Sequence, residues 1–326
     1  MKYNAFVVEE VDGKYQHDIK LLETKSLAIN ELLIKVSYSS LNYKDALSAT
    51  GNKGVTKKYP HVPGIDAAGV VVESTSELFS VGEEVIVTGN DLGMNSDGGF
   101  AEYIHIPAGW AVKLPDGLTA KEAMIIGTAG FTAGISISRL NELVKPSDGK
   151  IVVSGATGGV GSMAVSILSK LGYDVVAVSG KTAENEFIMS LGASEIISRE
   201  AFLGMDNKPV LSAQFAGGVD TVGGAILENI IKSLKPLGAV TTCGSVASTQ
   251  LNLTVFPFIL RGISLIGVSS QNYPMALRKG VWYKMSNEYK SENLMSLYSE
   301  ISLKDLSATI ELILQGKLKG RTLIKM

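Results

Sequence analysis

Cys243 is the only cysteine among 326 residues, and His17, His61 and His105 are the only histidines. One thiol excludes an internal disulfide and a thiolate-based zinc set, and three scattered histidines have no ligand spacing. A zinc-dependent mechanism is therefore not expected. Cys243 itself ends the apolar run Ala239-Val-Thr-Thr-Cys243 and reads as core. Charge imbalance is also missing. A formal net charge of −2 gives no footprint for nucleic acid or an anionic membrane. No apolar run is read as reaching the roughly 18 residues that span a bilayer. Glu9 and Glu10 come too early for a signal peptide. The expectation is a cytoplasmic protein with a small-molecule substrate and neither nucleic-acid nor membrane partners. What is present is a well-cored composition, 45% apolar and 19% charged, long enough for two domains of about 150 residues.

The most informative stretch is Ile151-Val-Val-Ser-Gly-Ala-Thr-Gly-Gly-Val-Gly161. A short apolar strand runs into a glycine-punctuated turn, and a helical pattern follows at once. Such a turn lets backbone approach a pyrophosphate, and free N–H groups at the helix start stabilise its charge. The spacing of Gly155, Gly158 and Gly161 is one residue off the common dinucleotide fingerprint, so the flanking strand and helix carry the argument.

From about residue 123 the pattern alternates β and α. Candidate strands are 151–154, 174–178, 195–197, 219–222, 239–243 and 265–268, mostly brief, branched and apolar on both faces, as strands of a parallel sheet are. Ala164, Ile167, Leu168 and Leu171 form one helical stripe, which Gly172 ends. This predicts an α/β, doubly wound dinucleotide domain. Residues 1–122 instead show alternating stretches among glycine and proline turns, the pattern of an antiparallel β domain. The tail predicts a helix over 304–315 and a strand over 322–325, which cannot bury itself alone and should return to the N-terminal sheet. The expected division is 1–122 with 291–326, and 123–290, with a cleft between them.

In such folds the residue ending the second strand selects the cofactor. A carboxylate accepts from the adenosine ribose 2′-OH and repels a 2′-phosphate. Here the strand ends Val178-Ser179-Gly180-Lys181, without a carboxylate. A hydroxyl, a small residue and a cation suit a phosphate, which favours NADPH over NADH. Arg199, after the third strand, could reach the same phosphate or the adenine face. The alternative makes Lys181 and Arg199 ordinary solvated charges.

Five segments in order now resemble one family: Ser40-Leu-Asn-Tyr-Lys-Asp-Ala46, Pro63-Gly-Ile-Asp-Ala-Ala-Gly69, Gly98-Gly-Phe-Ala-Glu-Tyr103, Gly127-Thr-Ala-Gly-Phe-Thr-Ala133 and the Gly155–Gly161 turn. The chain is similar throughout to the zinc-free medium-chain dehydrogenase/reductases. Asn42-Tyr-Lys-Asp45, Ser179-Gly-Lys181 and Pro257-Phe-Ile-Leu-Arg261 resemble its YhdH/YhfP subgroup of quinone oxidoreductases and acryloyl-CoA reductases. The resemblance implies a GroES-like β domain plus a Rossmann domain, bound NADPH, reduction of an electron-poor C=C bond, and a homodimer joined through the last strand of the nucleotide sheet. Residues 263–269 would supply that edge; by pattern alone they are equally an interior strand.

Carried over by position, Thr157, Gly158, Gly159 and Val160 would surround the pyrophosphate, and Ser179, Gly180, Lys181 and Arg199 the adenosine phosphate. Ser245, Ile259 and Ser270 would line the nicotinamide half, with Thr132 at the carboxamide. Tyr43 and Gln315 would approach from the β domain. Where other members carry arginine, Lys181 keeps the charge and loses the bidentate fork. Tyr43 is the candidate for orienting the nicotinamide, polarising the carbonyl or donating the proton, with Asp45 holding Tyr43 or a water. Against this, Tyr43 could simply pack under the cofactor and Asp45 cap a turn. Asp66, which stands where zinc-containing relatives carry a metal-site acid, reads as structural. Lys53, Lys57 and Lys58 form a basic patch that could meet CoA phosphates or merely face solvent. The functions left open are an enoyl-thioester reductase, a quinone or 2-alkenal reductase, and a non-catalytic NADPH-binding module.

Overall fold

The computed structural model describes residues 1–205 and 208–326. Contacts divide them into two units: Met1–Thr128 with Gln271–Ser286 and Leu294–Met326, and Ala129–Ser270 with Asn287–Asn293.

In the first unit, β1 (Lys2–Val11) and β2 (Lys14–Glu23) form a hairpin. Asp12 and Gly13 both take positive φ at its tip, the turn hand that matches strand twist. There follow β3 (Glu31–Leu41), α1 (Tyr43–Ala49), β4 (Asp66–Ser74), β5 (Glu84–Thr88), β6 (Tyr103–Pro107) and β7 (Ala111–Lys113). Both β4 and β6 pair antiparallel with β3. The chain then enters α2 (Ala120–Leu140), which Gly127 breaks with φ +50 and ψ −161. By length and composition α2 is apolar enough to cross a bilayer, which corrects the reading that no segment is. Most of it is buried inside the fold, as in a core helix.

The second unit runs β8 (Ile151–Ser154), α3 (Gly159–Lys170), β9 (Val175–Ser179), α4 (Asn185–Ser190), β10 (Glu195–Ser198), α5 (Arg199–Leu203), β11 (Phe215–Asp220), α6 (Gly224–Lys232), β12 (Leu234–Thr242), α7 (Phe256–Arg261) and β13 (Ser264–Gly267). Its six strands are parallel in the order β10-β9-β8-β11-β12-β13. Winding reverses between β8 and β11, the point beside which doubly wound sheets bind ligands. Residues of β8 and β9 are buried along their whole length, which explains their unbroken apolar runs. Strand β11 starts four residues earlier than its apolar pattern suggests, because Gly217 and Gly218 read as a loop. A Cβ at Gly217 would lie 2.9 Å from Ala239 O, so neighbouring backbone excludes a side chain there. Strand β13 is an edge.

The remainder comprises α8 (Met275–Ser286), β14 (Tyr298–Ser302), α9 (Leu306–Leu314) and β15 (Arg321–Lys325). As a lone terminal strand must, β15 pairs antiparallel with β3, with Thr322 opposite Leu41. Strand β14 adds parallel to β15. The sequence reading drew its second boundary at 290/291 and gave α8 to the nucleotide domain. Instead α8 packs with the first unit, where Arg278 and Trp282 are fully buried and Arg278 Nη1 donates to Thr88 O at 2.7 Å.

Candidate active site

The nucleotide end of the second unit is built by close approach of backbone. Gly155 leaves β8 with φ +61, and a Cβ there would lie 2.4 Å from Thr221 Oγ1. A Cβ on Gly161 would lie 2.2 Å from Gly155 O, so the first turn of α3 sits directly on the loop. Gly158 is the N-cap; no side chain caps the helix and no acidic residue enters its first turn. The N–H groups of that turn are therefore left to a ligand, and the turn fits a pyrophosphate by shape and polarity. Thr157 is buried beside Gly158, Gly159 and Val160, so the structure brings these four together.

Strands β9 and β10 pair with Ser179 opposite Ser198. That register carries Arg199 to the Ser179–Lys181 turn. A Cβ built on Gly180 would be 2.8 Å from Arg199 Cζ, so the guanidinium lies over the glycine. Ser179 Oγ accepts the Lys181 N–H at 3.0 Å, fixing the turn. Burial lowers the pKa of Lys181, and Glu184 opposes that shift. Four predicted phosphate residues thus converge, at the strand ends next to the Gly155 turn.

Ser245 and Ser270 follow β12 and β13, whose ends pair as Thr242 opposite Gly267, so both lie along the same rim of the sheet. Thr132 is buried within α2. Ile259 is 67% exposed on α7, two residues before Arg261. Arg261 donates to Lys232 O and Leu234 O, at the start of β12. Ile259 is thus an open side chain of the helix between β12 and β13. Gln315 is exposed at the C-cap of α9 in the first unit.

Around Tyr43 the first unit builds a buried polar cluster. Tyr43 opens α1 and is 40% exposed. Asp45, two residues further in the same turn, is fully buried. Its Oδ2 accepts the Asn42 N–H and its Oδ1 the Ile65 N–H, each at 2.8 Å. Asp45, offered by the sequence as a catalytic-site residue holding Tyr43 or a water, or as a turn cap, ties the start of α1 to the segment before β4 and touches no solvent. Burial first, and repulsion from Asp66 second, push its pKa to about 7 against those two N–H bonds.

Asp66 is the hub. It accepts from Ser40 Oγ (2.7 Å), Asn42 Nδ2 (2.8 Å), Thr128 N (2.8 Å) and Thr128 Oγ1 (2.5 Å). Buried Arg321, from β15, lies 3.8 Å away and donates to Ile125 O, Leu41 O, Asn42 Oδ1 and Ser40 Oγ. The break in α2 accommodates this cluster. A Cβ on Gly127 would fall 2.6 Å from Ser40 Oγ and 2.7 Å from both Arg321 Nη2 and Asp66 Oδ2. Sequence reasoning missed Arg321 and met Asn42 and Thr128 only as members of motifs, with no role of their own. The terminal strand Arg321-Thr-Leu-Ile-Lys325 carries a cation at each end, and nothing in that pattern marks Arg321 as the buried one.

Lys53 leaves the basic patch: its ammonium sits on Glu10 at 2.7 Å and over the Tyr15 and Tyr59 rings, 5.4 and 4.8 Å from their centroids. Among the described residues no group of three His, Cys, Asp or Glu could hold a metal. Burial pushes the Cys243 thiol up to about 12, which leaves it unreactive.

A doubly wound sheet with a glycine-lined anion turn, joined in one chain to a β unit carrying a buried polar cluster, defines the dehydrogenase class. Residues 28–116 match the alcohol dehydrogenase GroES-like domain and residues 159–288 the zinc-binding dehydrogenase domain. YhfP of Bacillus subtilis, which carries a quinone oxidoreductase name, is 42% identical over 99% of both chains. The acrylyl-CoA reductase AcuI of Ruegeria pomeroyi is 38% identical over 99% of this chain and 98% of its own. The crystal structure of the Salmonella enterica YhdH oxidoreductase in complex with NADP superposes with a TM-score of 0.95 at 40% identity, covering 99% of each chain. The chain belongs to the medium-chain dehydrogenase/reductase family of oxidoreductases, in the subgroup of these proteins.

Proposed function

We propose that this chain is an NADPH-dependent reductase of electron-poor C=C bonds, with acryloyl-CoA, reduced to propanoyl-CoA, as its preferred substrate. The observation that carries the cofactor is the Arg199 guanidinium lying over Gly180 beside Lys181, at a strand end with no carboxylate. Two cations there suit a 2′-phosphate, and the absent acid removes the usual partner of an unmodified ribose. The Salmonella relative crystallised with NADP supports the same reading. In it Thr157, Gly158, Gly159 and Val160 hold the pyrophosphate, Ser179, Gly180, Lys181 and Arg199 the phosphorylated ribose, and Ser245, Ser270 and Thr132 the nicotinamide half.

The bound dinucleotide supplies a hydride, and the protein supplies position and electrostatics. Tyr43 is the exposed polar group at the start of α1 and orients the ring or delivers the proton to the α-carbon. Asp45, through Asn42 and Ile65, fixes where α1 begins. The names of relatives divide between acrylyl-CoA and quinone reduction, so a quinone or 2-alkenal reductase is the second reading. The proposed enzyme is cytoplasmic, where reduced NADPH is supplied, and a homodimer. Support for the dimer comes from the open edge of β13 and the exposed Val255, Phe256, Ile259 and Leu260 beside it.

NADPH oxidation across enones, quinones and enoyl thioesters tests the reaction; tight NADPH binding with no turnover on any of them would favour a non-catalytic module. Lys181→Glu tests the cofactor. Loss of one charge-assisted contact, about 1.5–3 kcal/mol, should raise the KM for NADPH roughly ten- to a hundredfold more than that for NADH. Equal effects on both would remove Lys181 from phosphate recognition.

A further inference from the structure

The cations of the first unit differ in their partners. Lys20, Lys53, Lys113 and Lys121 each sit on a surface glutamate, and Arg321 lies beside Asp66. Lys44 does not. Its partly buried ammonium donates to the neutral amide oxygen Oε1 of Gln271 at 2.9 Å. An amide oxygen orients an ammonium without cancelling its charge, so this contact points the cation and leaves it electrophilic. Burial lowers its pKa, while Asp45 and Asp66 act in the opposite direction.

Gln271 is itself held rigidly. Its main-chain oxygen accepts from Asn90 N at 2.8 Å and from Arg278 Nη2 at 2.9 Å. Gly89, at φ +69, brings backbone so close that a Cβ would lie 2.8 Å from that same oxygen. Asn90, at φ +54, has its amide Nδ2 buried with no hydrogen-bond partner among the described residues. Buried donors are almost always satisfied, and the exceptions call for an explanation. Gln271 thus supports two donors, Lys44 without an anionic partner and Asn90 Nδ2 without any among the described residues, and Lys44 directly follows Tyr43 in the chain.

We propose that Lys44 takes the carbonyl oxygen of the α,β-unsaturated acyl substrate and holds the negative charge that forms on it, with Asn90 Nδ2 as the second donor. The inference rests on the C=C reductase reading. When a hydride adds to the β-carbon, the C=C pair shifts to join the α-carbon and the carbonyl carbon, and the carbonyl pair moves onto oxygen. Lys44 keeps its proton and offsets that charge. The α-carbon then takes one proton, from Tyr43 or water, and the C=O bond re-forms. The substrate gains two electrons and two hydrogens in all, and the dinucleotide is oxidised by the same two electrons. Lys20, Lys53, Lys113 and Lys121 of the same unit are each matched to a carboxylate instead.

The test uses the full chain with Lys44→Met, Lys44→Arg and Gln271→Glu. Removing one group that stabilises a developing oxyanion lowers kcat about 10²–10³-fold, so Lys44→Met should do so on the best enoyl thioester. Its NADPH dissociation constant, followed by fluorescence, should stay within about twofold, since only the transition-state contact is lost. Lys44→Arg should recover part of the rate. Gln271→Glu retains the lysine and sets a carboxylate against it, so kcat should fall about tenfold or more if charge is what matters. A second readout needs no turnover: acetoacetyl-CoA ionises to an enolate with a near-ultraviolet band. Bound to wild type that band should appear at lower pH than free in solution, and bound to Lys44→Met it should not. A Lys44→Met enzyme with kcat within about threefold of wild type, or an enolate band at the same pH in both proteins, would overturn the assignment while leaving the reductase intact. A wild type that oxidises NADPH with no enone, quinone or enoyl thioester would mean instead that the parent reading has failed, and the role of Lys44 with it.

Discussion

Replacing Asp45 with asparagine isolates one buried titration and its effect on stability. The carboxyl has a folded pKa of about 7 against an ordinary value of 3.8. For an acid whose folded pKa is raised, stability is greatest below the unfolded value and declines as pH climbs, because the unfolded chain ionises first. The decline ends near pH 7, where the folded carboxyl ionises as well. Between pH 5 and pH 7 the unfolded group is charged and the folded one largely neutral, so the slope is about 1.4 kcal/mol per pH unit and the loss about 2–3 kcal/mol. Asparagine does not titrate. It can keep one acceptor for Asn42 N or Ile65 N but turns its NH2 toward the other donor, an offset of about 1–3 kcal/mol that does not vary with pH. Urea unfolding of both proteins at pH 5, 6, 7 and 8 should therefore give a stability difference that moves in favour of Asp45→Asn by about 2–3 kcal/mol from pH 5 to pH 7, then levels off. A difference that stays flat over that range would mean that Asp45 is ionised throughout and that Asn42 and Ile65 hold the charge more strongly than burial and Asp66 oppose it.

Gly127→Ala should cost about 3–5 kcal/mol, because the new methyl group meets Asp66, Arg321 and Ser40 in a cluster with no slack and at a φ that disfavours side chains; a urea midpoint matching wild type would show that the break in α2 can relax. Gly161→Ala should abolish NADPH binding by fluorescence titration, since its Cβ would stand 2.2 Å from Gly155 O and lift the helix start off the loop. Retained binding would dissociate the pyrophosphate site from that turn.

The nucleotide sheet was legible because its signals are local. Ile151–Ser154 occurs as the pattern placed it, and Gly172, at φ +83, ends α3 as a C-cap glycine does. The Ser179–Lys181 turn was legible for the same reason, although only the Ser179–Ser198 register explains how Arg199 reaches it. The polar cluster was not legible. Its members come from β3, α1, β4, α2 and β15, and Arg321 lies 255 positions from Asp66 in the chain, so no window joins them. Gln271 and Arg278 were hidden likewise, because nothing in the composition of 271–286 shows which unit it packs against. Tyr43 and Asp45 stood out as a motif, yet neighbours in sequence face different surroundings in the first turn of a helix. One is open to solvent and the other is sealed beneath it.

The two buried carboxyl groups of the cluster differ in their donors. Asp66 receives four hydrogen bonds and has a guanidinium 3.8 Å away. Asp45 receives the N–H groups of Asn42 and Ile65 with help from the Asn42 side chain, has no cation at that distance among the described residues, and carries the repulsion of Asp66 in addition. Near neutral pH Asp45 is therefore a group free to gain or lose a proton. Arg321 lies beside Asp66 and commits its other donors to Ile125 O, Leu41 O, Asn42 Oδ1 and Ser40 Oγ. The segment holding Tyr43 is thus anchored from below by a fixed ion pair and at its start by a titratable carboxyl. Its position should track the protonation of Asp45 and remain insensitive to salt, since both carboxylates lie beyond the reach of screening ions.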